Sequence, residues 1–260
     1  MSGEAFRMLV GSAGAPLYLD HASILVPNLR EAVAALESRL GLHVTVSPTA
    51  PQHHGRIYFD RSYLEVSARE PVDQWGLGSF FLRFTDPESL RRHLQAVGIA
   101  HHFGVYEGVD GIWDDVEIRQ GSVPLPILVR RTHPPEVAAD WPPRLDRPHR
   151  CTARTLAAVV VATPDLAPAV ETYARLLGLS ADAATVEGRQ ATLSCASGRI
   201  ILEEGEHPGL AGLVLGVTSI AEATEVTGGA DGAETRWLDP GVTHGLRIGL
   251  TPVPGQDASR

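Results

Sequence analysis

The stretch His21-Ala-Ser-Ile-Leu-Val-Pro-Asn-Leu29 decides the fold. Its apolar run ends at Pro27, which cannot continue a ladder, and Asn28 is a strong helix N-cap. Leu29, Val33, Leu36 and Leu40 then fall at helical spacing, with Gly41 at the C-terminal end. The stretch Ala158-Val-Val-Val-Ala-Thr-Pro-Asp-Leu166 repeats this plan. Pro164 and Asp165 mark the turn, Leu166, Val170, Tyr173 and Leu177 form the stripe, and Gly178 ends it. Both glycines lie 12 residues beyond the first leucine of their helix, and Gly178 follows Gly41 by 137 residues. The chain therefore reads as two homologous halves, with equivalent helices over 28–40 and 165–177.

Working outward, each helix is followed by short strands. In the first half they are expected near 42–47, 55–59 and 63–67, and in the second near 181–186, 190–195 and 199–203. A further unit follows in each half. A strand at 79–85 leads to a helix opened by Asp86-Pro87-Glu88, then strands near 100–106, 111–119 and 125–130. The last unit has a strand at 213–217, a short helix near 220–226 and strands near 234–238 and 246–251. The expected class is α+β, with four βαβββ modules, the fourth abbreviated, paired into curled mixed sheets. The boundaries expected are a first half at 1–131, a linker at 132–150 rich in Pro, Arg and His, and a second half at 151–260.

Composition bounds the function. The 260 residues are 43% hydrophobic and 20% charged, an ordinary globular balance. The net charge of −9 and the lack of a basic run argue against nucleic-acid and anionic-membrane partners. All 22 basic residues are arginine, which excludes a Schiff-base or lysine-base mechanism. Cys151 and Cys195 have no CxxC spacing and read as small buried residues. Without an apolar leader or a run of about 20 apolar residues, the expected location is a bacterial-type cytoplasm. GxSxG, P-loop and GxGxxG motifs are absent.

Paired βαβββ modules that open with Asp20-His21 and close with Tyr63-Leu64-Glu65 resemble the vicinal oxygen chelate superfamily. Leu17–His21, His54-Gly55, Asp110-Gly111 before Trp113, and Leu125–Val129 running to His133-Pro134 resemble its glyoxalase-like domain family. That resemblance implies a U-shaped sheet around a cup holding a small-molecule substrate, and a divalent metal held by the first and last strands of a module. His21 and Glu65 stand at those places, and an imidazole with a carboxylate suits Fe, Mn, Zn or Ni. Phe80 and Ile127–Leu128 stand where the paired module would supply its ligands. The candidates to complete a metal site are thus His54 and His102, with His101 and Glu117 as further donors nearby.

Strand alternation orders the remaining candidates. Arg56, Tyr58 and Tyr63 should face the cup with His21 and Glu65, while Ala22, Ile24, Val26, Ile57, Phe59, Leu64 and Val66 should face the core. Glu65 and His54 are the candidates for acid–base catalysis, Glu65 with a carboxyl raised by burial. Phe80, Phe81 and Trp113 read either as core or as the substrate-facing aromatics of a metal-free cup. In the second half Ala158 stands where His21 stands and Glu203 where Glu65 stands. That half is expected to be structural, a wall of the pocket or a homodimer face.

The readings are three. One is a metal-dependent lyase, isomerase or related enzyme acting on a small carbonyl or vicinal-oxygen substrate. Another is a metal-free protein that binds or sequesters a planar small molecule or antibiotic. The third is a metal-free enzyme with His21 or His54 as general base.

Overall fold

The protein is described from a computed structural model over residues 16–47, 50–69, 71–108, 111–118, 123–132, 147–228 and 235–253. Most of the expected linker, at 133–146, lies outside the described residues, as do Asp110 and His133-Pro134. The strands of the first sheet are β1 (Tyr18–Leu25), β2 (Thr45–Val46), β3 (His54–Tyr58), β4 (Tyr63–Ser67), β5 (Gly76–Arg83), β6 (His101–Gly108), β7 (Gly111–Ile118) and β8 (Ile127–Thr132). They lie side by side in the order β2-β3-β4-β1-β5-β8-β7-β6. The second sheet comprises β9 (Ala153–Thr163), β10 (Thr185–Glu187), β11 (Gln190–Cys195), β12 (Gly198–Glu204), β13 (Gly209–Val217), β14 (Arg236–Trp237) and β15 (Ile248–Pro252). Its order is β10-β11-β12-β9-β13-β15-β14. The topologies match strand for strand, save that β6 has no counterpart among the described residues.

Four α-helices cover the sheets among the described residues: α1 (Leu29–Arg39), α2 (Pro87–Ala96), α3 (Leu166–Leu177) and α4 (Ile220–Thr227). Asn28 caps α1 by accepting from the Glu31 N–H, and Asp86 caps α2 through the Glu88 and Ser89 N–H groups. Asp165 sits at the N-cap of α3 without a side-chain bond, so its contribution is its backbone alone. Gly41 and Gly178 both adopt left-handed backbone, at φ 64° and 69°. At Gly41 a Cβ would lie 2.7 Å from Val226 and 2.9 Å from the Arg150 Cβ, so the halves meet there at backbone distance.

The halves share one apolar core. Ala22, Ile24, Val26, Ile57, Phe59, Leu64 and Val66 are buried in it together with Leu156, Val159, Val161, Tyr173, Ile200 and Leu202. Each large side chain so buried is worth roughly 1.5–3 kcal/mol. Polar ties reinforce the seam. The Leu156 N–H donates to Ser62 Oγ at 3.0 Å, and the Ala196 N–H to the Leu17 carbonyl at 2.9 Å. His149 links the start of the second half to the first sheet. Its Nδ1 accepts from the His43 N–H at 3.0 Å and its Nε2 donates to the Tyr58 carbonyl at 2.8 Å. Burial pushes the His149 imidazole below its ordinary value, the Tyr58 carbonyl opposing this and the charges of His43 and Arg154 adding to it. Burial likewise pushes the Cys151 and Cys195 thiols up, which leaves them unreactive. No helix among the described residues is long and apolar enough to cross a membrane.

Candidate functional site

The first sheet curls around a cavity of about 210 Å³, room for roughly seven waters. His21 on β1, His54 and Arg56 on β3, Tyr63 and Glu65 on β4, Phe81 on β5 and Trp113 on β7 all line it. They converge because β3, β4, β1 and β5 are adjacent and each turns alternate residues to one face. Leu64 and Val66, on the opposite face of β4, are fully buried in the core.

Three rings stand side by side across β4, β1 and β5. The His21 imidazole is stacked 4.3 Å from Tyr63 on one side and 3.9 Å from Phe81 on the other, nearly parallel to both. Trp113 leans over it at 6.4 Å. His21 Nδ1 lies 2.8 Å from Asp20 Oδ2, so that nitrogen is engaged and Nε2 is the one left for the cavity. Asp20 in turn lies 3.8 Å from Arg83 Nε.

A second carboxylate–imidazole pair lies beside the first. His54 Nδ1 is 3.1 Å from Glu65 Oε1, an ion-pair distance at an angle poor for hydrogen bonding. His54 is 3% exposed, and its Nε2 has no hydrogen-bond partner among the described residues. Burial alone would push the Glu65 carboxyl up. The contact with His54 and the charges of His54, His21 and Arg56 outweigh burial and hold it at about 2, against an ordinary 4.5. The direction is opposite to the raised carboxyl expected from sequence: Glu65 is a standing anion at neutral pH and a poor base.

The expected residues divide by place. His21, His54, Arg56, Tyr63, Glu65, Phe81 and Trp113 share the cavity wall. Phe80 does not: its neighbour Phe81 takes the cavity face, and Phe80 packs in the core opposite Ala22. Tyr58 is buried on the same face, its ring centre 6.0 Å from that of Tyr63 and its hydroxyl accepting from Arg56 Nη1 at 3.4 Å, but it does not line the cavity. His102 is exposed on β6, the outer strand of the sheet, opposite Glu117 rather than at the cavity. Sequence reasoning missed Asp20, because alternation sets it on the face opposite His21. It also missed Arg69, Tyr106, Asp115 and Val129, which complete the lining with Ile127.

His21 and Glu65 are chemically suited to a divalent ion, each held from behind by a partner. A metal site takes three or four protein ligands. Among the described residues no group of three or more His, Cys, Asp or Glu side chains is placed to hold one. The residues therefore do not form a metal cage, and no chemical step is assigned to one.

The second half carries the same frame with the polar wall removed. Register pairs His21 with Tyr63 and Ser23 with Glu65, and pairs Ala158 with Arg199 and Val160 with Ile201. Ile201, not Glu203, thus occupies the place of Glu65. Ala158, Val160 and Val214 form a small apolar cluster with Ile201 and Trp237. Glu203 instead accepts from Arg247 Nη1 at 2.5 Å, and that guanidinium lies over Trp237.

Comparison with known proteins fits this geometry. The family model of the glyoxalase-like domain matches residues 19–177. No curated protein matches the sequence. Among solved structures, a hypothetical protein from Staphylococcus aureus superposes with a TM-score of 0.62 at 10% identity, covering 91% of this chain and 99% of that one. Homoprotocatechuate 2,3-dioxygenase from Arthrobacter globiformis gives 0.65 at 16% identity, covering 96% and 85%. An extradiol ring-cleaving dioxygenase from B. fuscum gives 0.63 at 17%, covering 95% and 76%. At these identities the structures share a fold. With the family match over more than half of its length, the chain belongs to the glyoxalase-like domain family of the vicinal oxygen chelate superfamily.

Proposed function

We propose that this chain is an enzyme that moves a proton on a small oxygenated substrate, in isomerase or lyase chemistry, with His21 as the base. The carrying observation is the His21 ring itself. It is clamped between Tyr63 and Phe81, with Nδ1 engaged and Nε2 left for the cavity. Removing a proton next to a carbonyl converts His21 to imidazolium. Glu65, ionised and within electrostatic reach of His21, stabilises that cation as it forms. Arg56 and Arg69 on the same wall offer donors to the oxygen that gains charge.

A general base of this kind contributes about 10²–10⁴-fold. The test is proton–deuterium exchange in D₂O, followed by ¹H NMR on pyruvate, phenylpyruvate, dihydroxyacetone and hydroxyacetone. Loss of the C–H signal next to the carbonyl is expected with the native protein and should fall by about 10²-fold or more in His21→Gln. Equal exchange by both proteins, or none above buffer on any of the four, counts against the reading.

A second reading is a metal-free cup for a planar ligand, favoured by the aromatic wall of Tyr63, Phe81 and Trp113. Saturable quenching of Trp113 fluorescence by planar aromatics, without turnover, would favour it.

A further inference from the structure

We infer that Asp20 is a positioning residue, delivered to His21 by a β-bulge, and that it fixes which nitrogen of His21 meets the substrate. The inference rests on the reading of His21 as the base. Leu19 pairs with Leu82 and His21 with Phe81, so two steps along β1 are matched by one along β5. The extra residue is Asp20. Leu19 and Ala22 both lie in the core although three residues apart, an interval that a regular strand cannot give. The bulge thereby takes Asp20 off the helix-facing side and sets it beside the next side chain.

The consequence is chemical. Asp20 is 5% exposed, and its Oδ2 stands 2.8 Å from His21 Nδ1. A carboxylate only accepts, so the Nδ1 facing it carries the hydrogen and Nε2 presents its lone pair. Without Asp20 the ring would be free to place its hydrogen on Nε2, where it could not take a proton. Arg83 Nε, 3.8 Å from Asp20 Oδ1, adds a positive charge at ion-pair distance that favours the ionised carboxylate.

The same bulge recurs in the second half. Val214 pairs with Ala158 and Leu215 with Leu156, so Ala157 is the extra residue there. The irregularity thus belongs to the fold, while the acid and the imidazole occur together only in the half that has the cavity.

The experiment is long-range ¹H–¹⁵N NMR of the imidazoles in the whole chain, with the His21 signals assigned by their loss in His21→Gln. In the native protein His21 should be protonated at Nδ1 with Nε2 bare at neutral pH. Asp20→Asn should shift hydrogen onto Nε2 and lower turnover on whichever carbonyl compound is exchanged by about 10–100-fold with little change in KM. Asp20→Glu should restore part of both. The native spectrum decides even if no Asp20 variant folds: His21 protonated at Nε2 overturns the inference. So does an Asp20→Asn protein whose tautomer and turnover are unchanged. If the tautomer shifts as expected while His21→Gln still exchanges at the native rate, the base reading falls and the positioning by Asp20 stands.

Discussion

Replacing Glu65 by Gln should remove one identifiable piece of the protein's acid sensitivity. The Glu65 carboxyl sits at about 2 in the folded chain against 4.5 ordinarily. Folded below unfolded means that the unfolded chain binds the extra proton, so this stabilisation is fully present above pH 4.5 and is lost as pH falls toward 2. The span corresponds to about 3 kcal/mol at most, and about 1.4 kcal/mol of it is gone at about pH 3.5. Urea unfolding of the native protein and of Glu65→Gln at about pH 5.5 and about pH 3.5 isolates the effect, because every other acidic group is common to both. The native protein should exceed the variant in stability at the higher pH, and the gap should shrink by about 1.4 kcal/mol at the lower. Parallel pH profiles would refute the argument, since they would mean that the His54, His21 and Arg56 charges do not act on Glu65.

Further outcomes follow from the geometry. His149→Ala orphans the His43 N–H and the Tyr58 carbonyl, each at about 1–3 kcal/mol, and should lower the urea midpoint accordingly. Because the His149 imidazole is held below its ordinary 6.5, native stability should fall as pH drops below about 6.5, and a hydrophobic replacement that tolerates the site should lose that slope. Protein purified without chelator should carry no stoichiometric Fe, Mn, Zn or Ni by elemental analysis, since no three His, Cys, Asp or Glu side chains among the described residues are placed to hold one; one equivalent would restore the metal reading. Leu64→Ala should cost about 2–5 kcal/mol in chemical unfolding with the cavity wall intact, whereas Arg69→Ala should cost little stability and act on substrate affinity.

The repeat, the two equivalent helices and most of the cavity wall are legible in the sequence because they depend on period and punctuation. Leu64 and Val66 in the core with Tyr63 and Glu65 in the cup follow from alternation once β4 is placed. Asp20 escapes alternation because the register between β1 and β5 is irregular, whereas Phe80 follows it and shares the core face with Leu82 and Phe84. The signal for the bulge is present in the chain. Leu17 and Leu19 are apolar at odd positions and Ala22, Ile24 and Val26 at even ones, so the parity flips across Asp20-His21. The Glu65 shift is not legible, because its sign depends on three partners brought from β1 and β3, against burial that acts the other way. His102 lies outside the cavity although Tyr106, four residues further along β6, lines it, and which end of that strand reaches the cup is not legible in the sequence.

The second half explains why the fold is readable where the chemistry is not. Both halves keep the same strand order, the same bulge and a second register shift, between Ala22 and Ile24 in β1 and between Leu210 and Gly212 in β13. All of these serve the helix-facing core, where a lost methylene is felt as stability. The concave face answers to no such constraint. At equivalent positions His21, Ser23, Glu65 and Phe81 are replaced by Ala158, Val160, Ile201 and Val214, which form an apolar cluster, while Arg199 stands at the place of Tyr63. Keeping a buried imidazole and carboxylate in the first half instead requires Asp20, Arg83, His54 and Arg56 to hold them. The polar groups of the first cup need partners that the equivalent positions of the second do without, which favours the proposal that something binds in the first. The asymmetry between the cups is therefore itself an argument that the first is a working site.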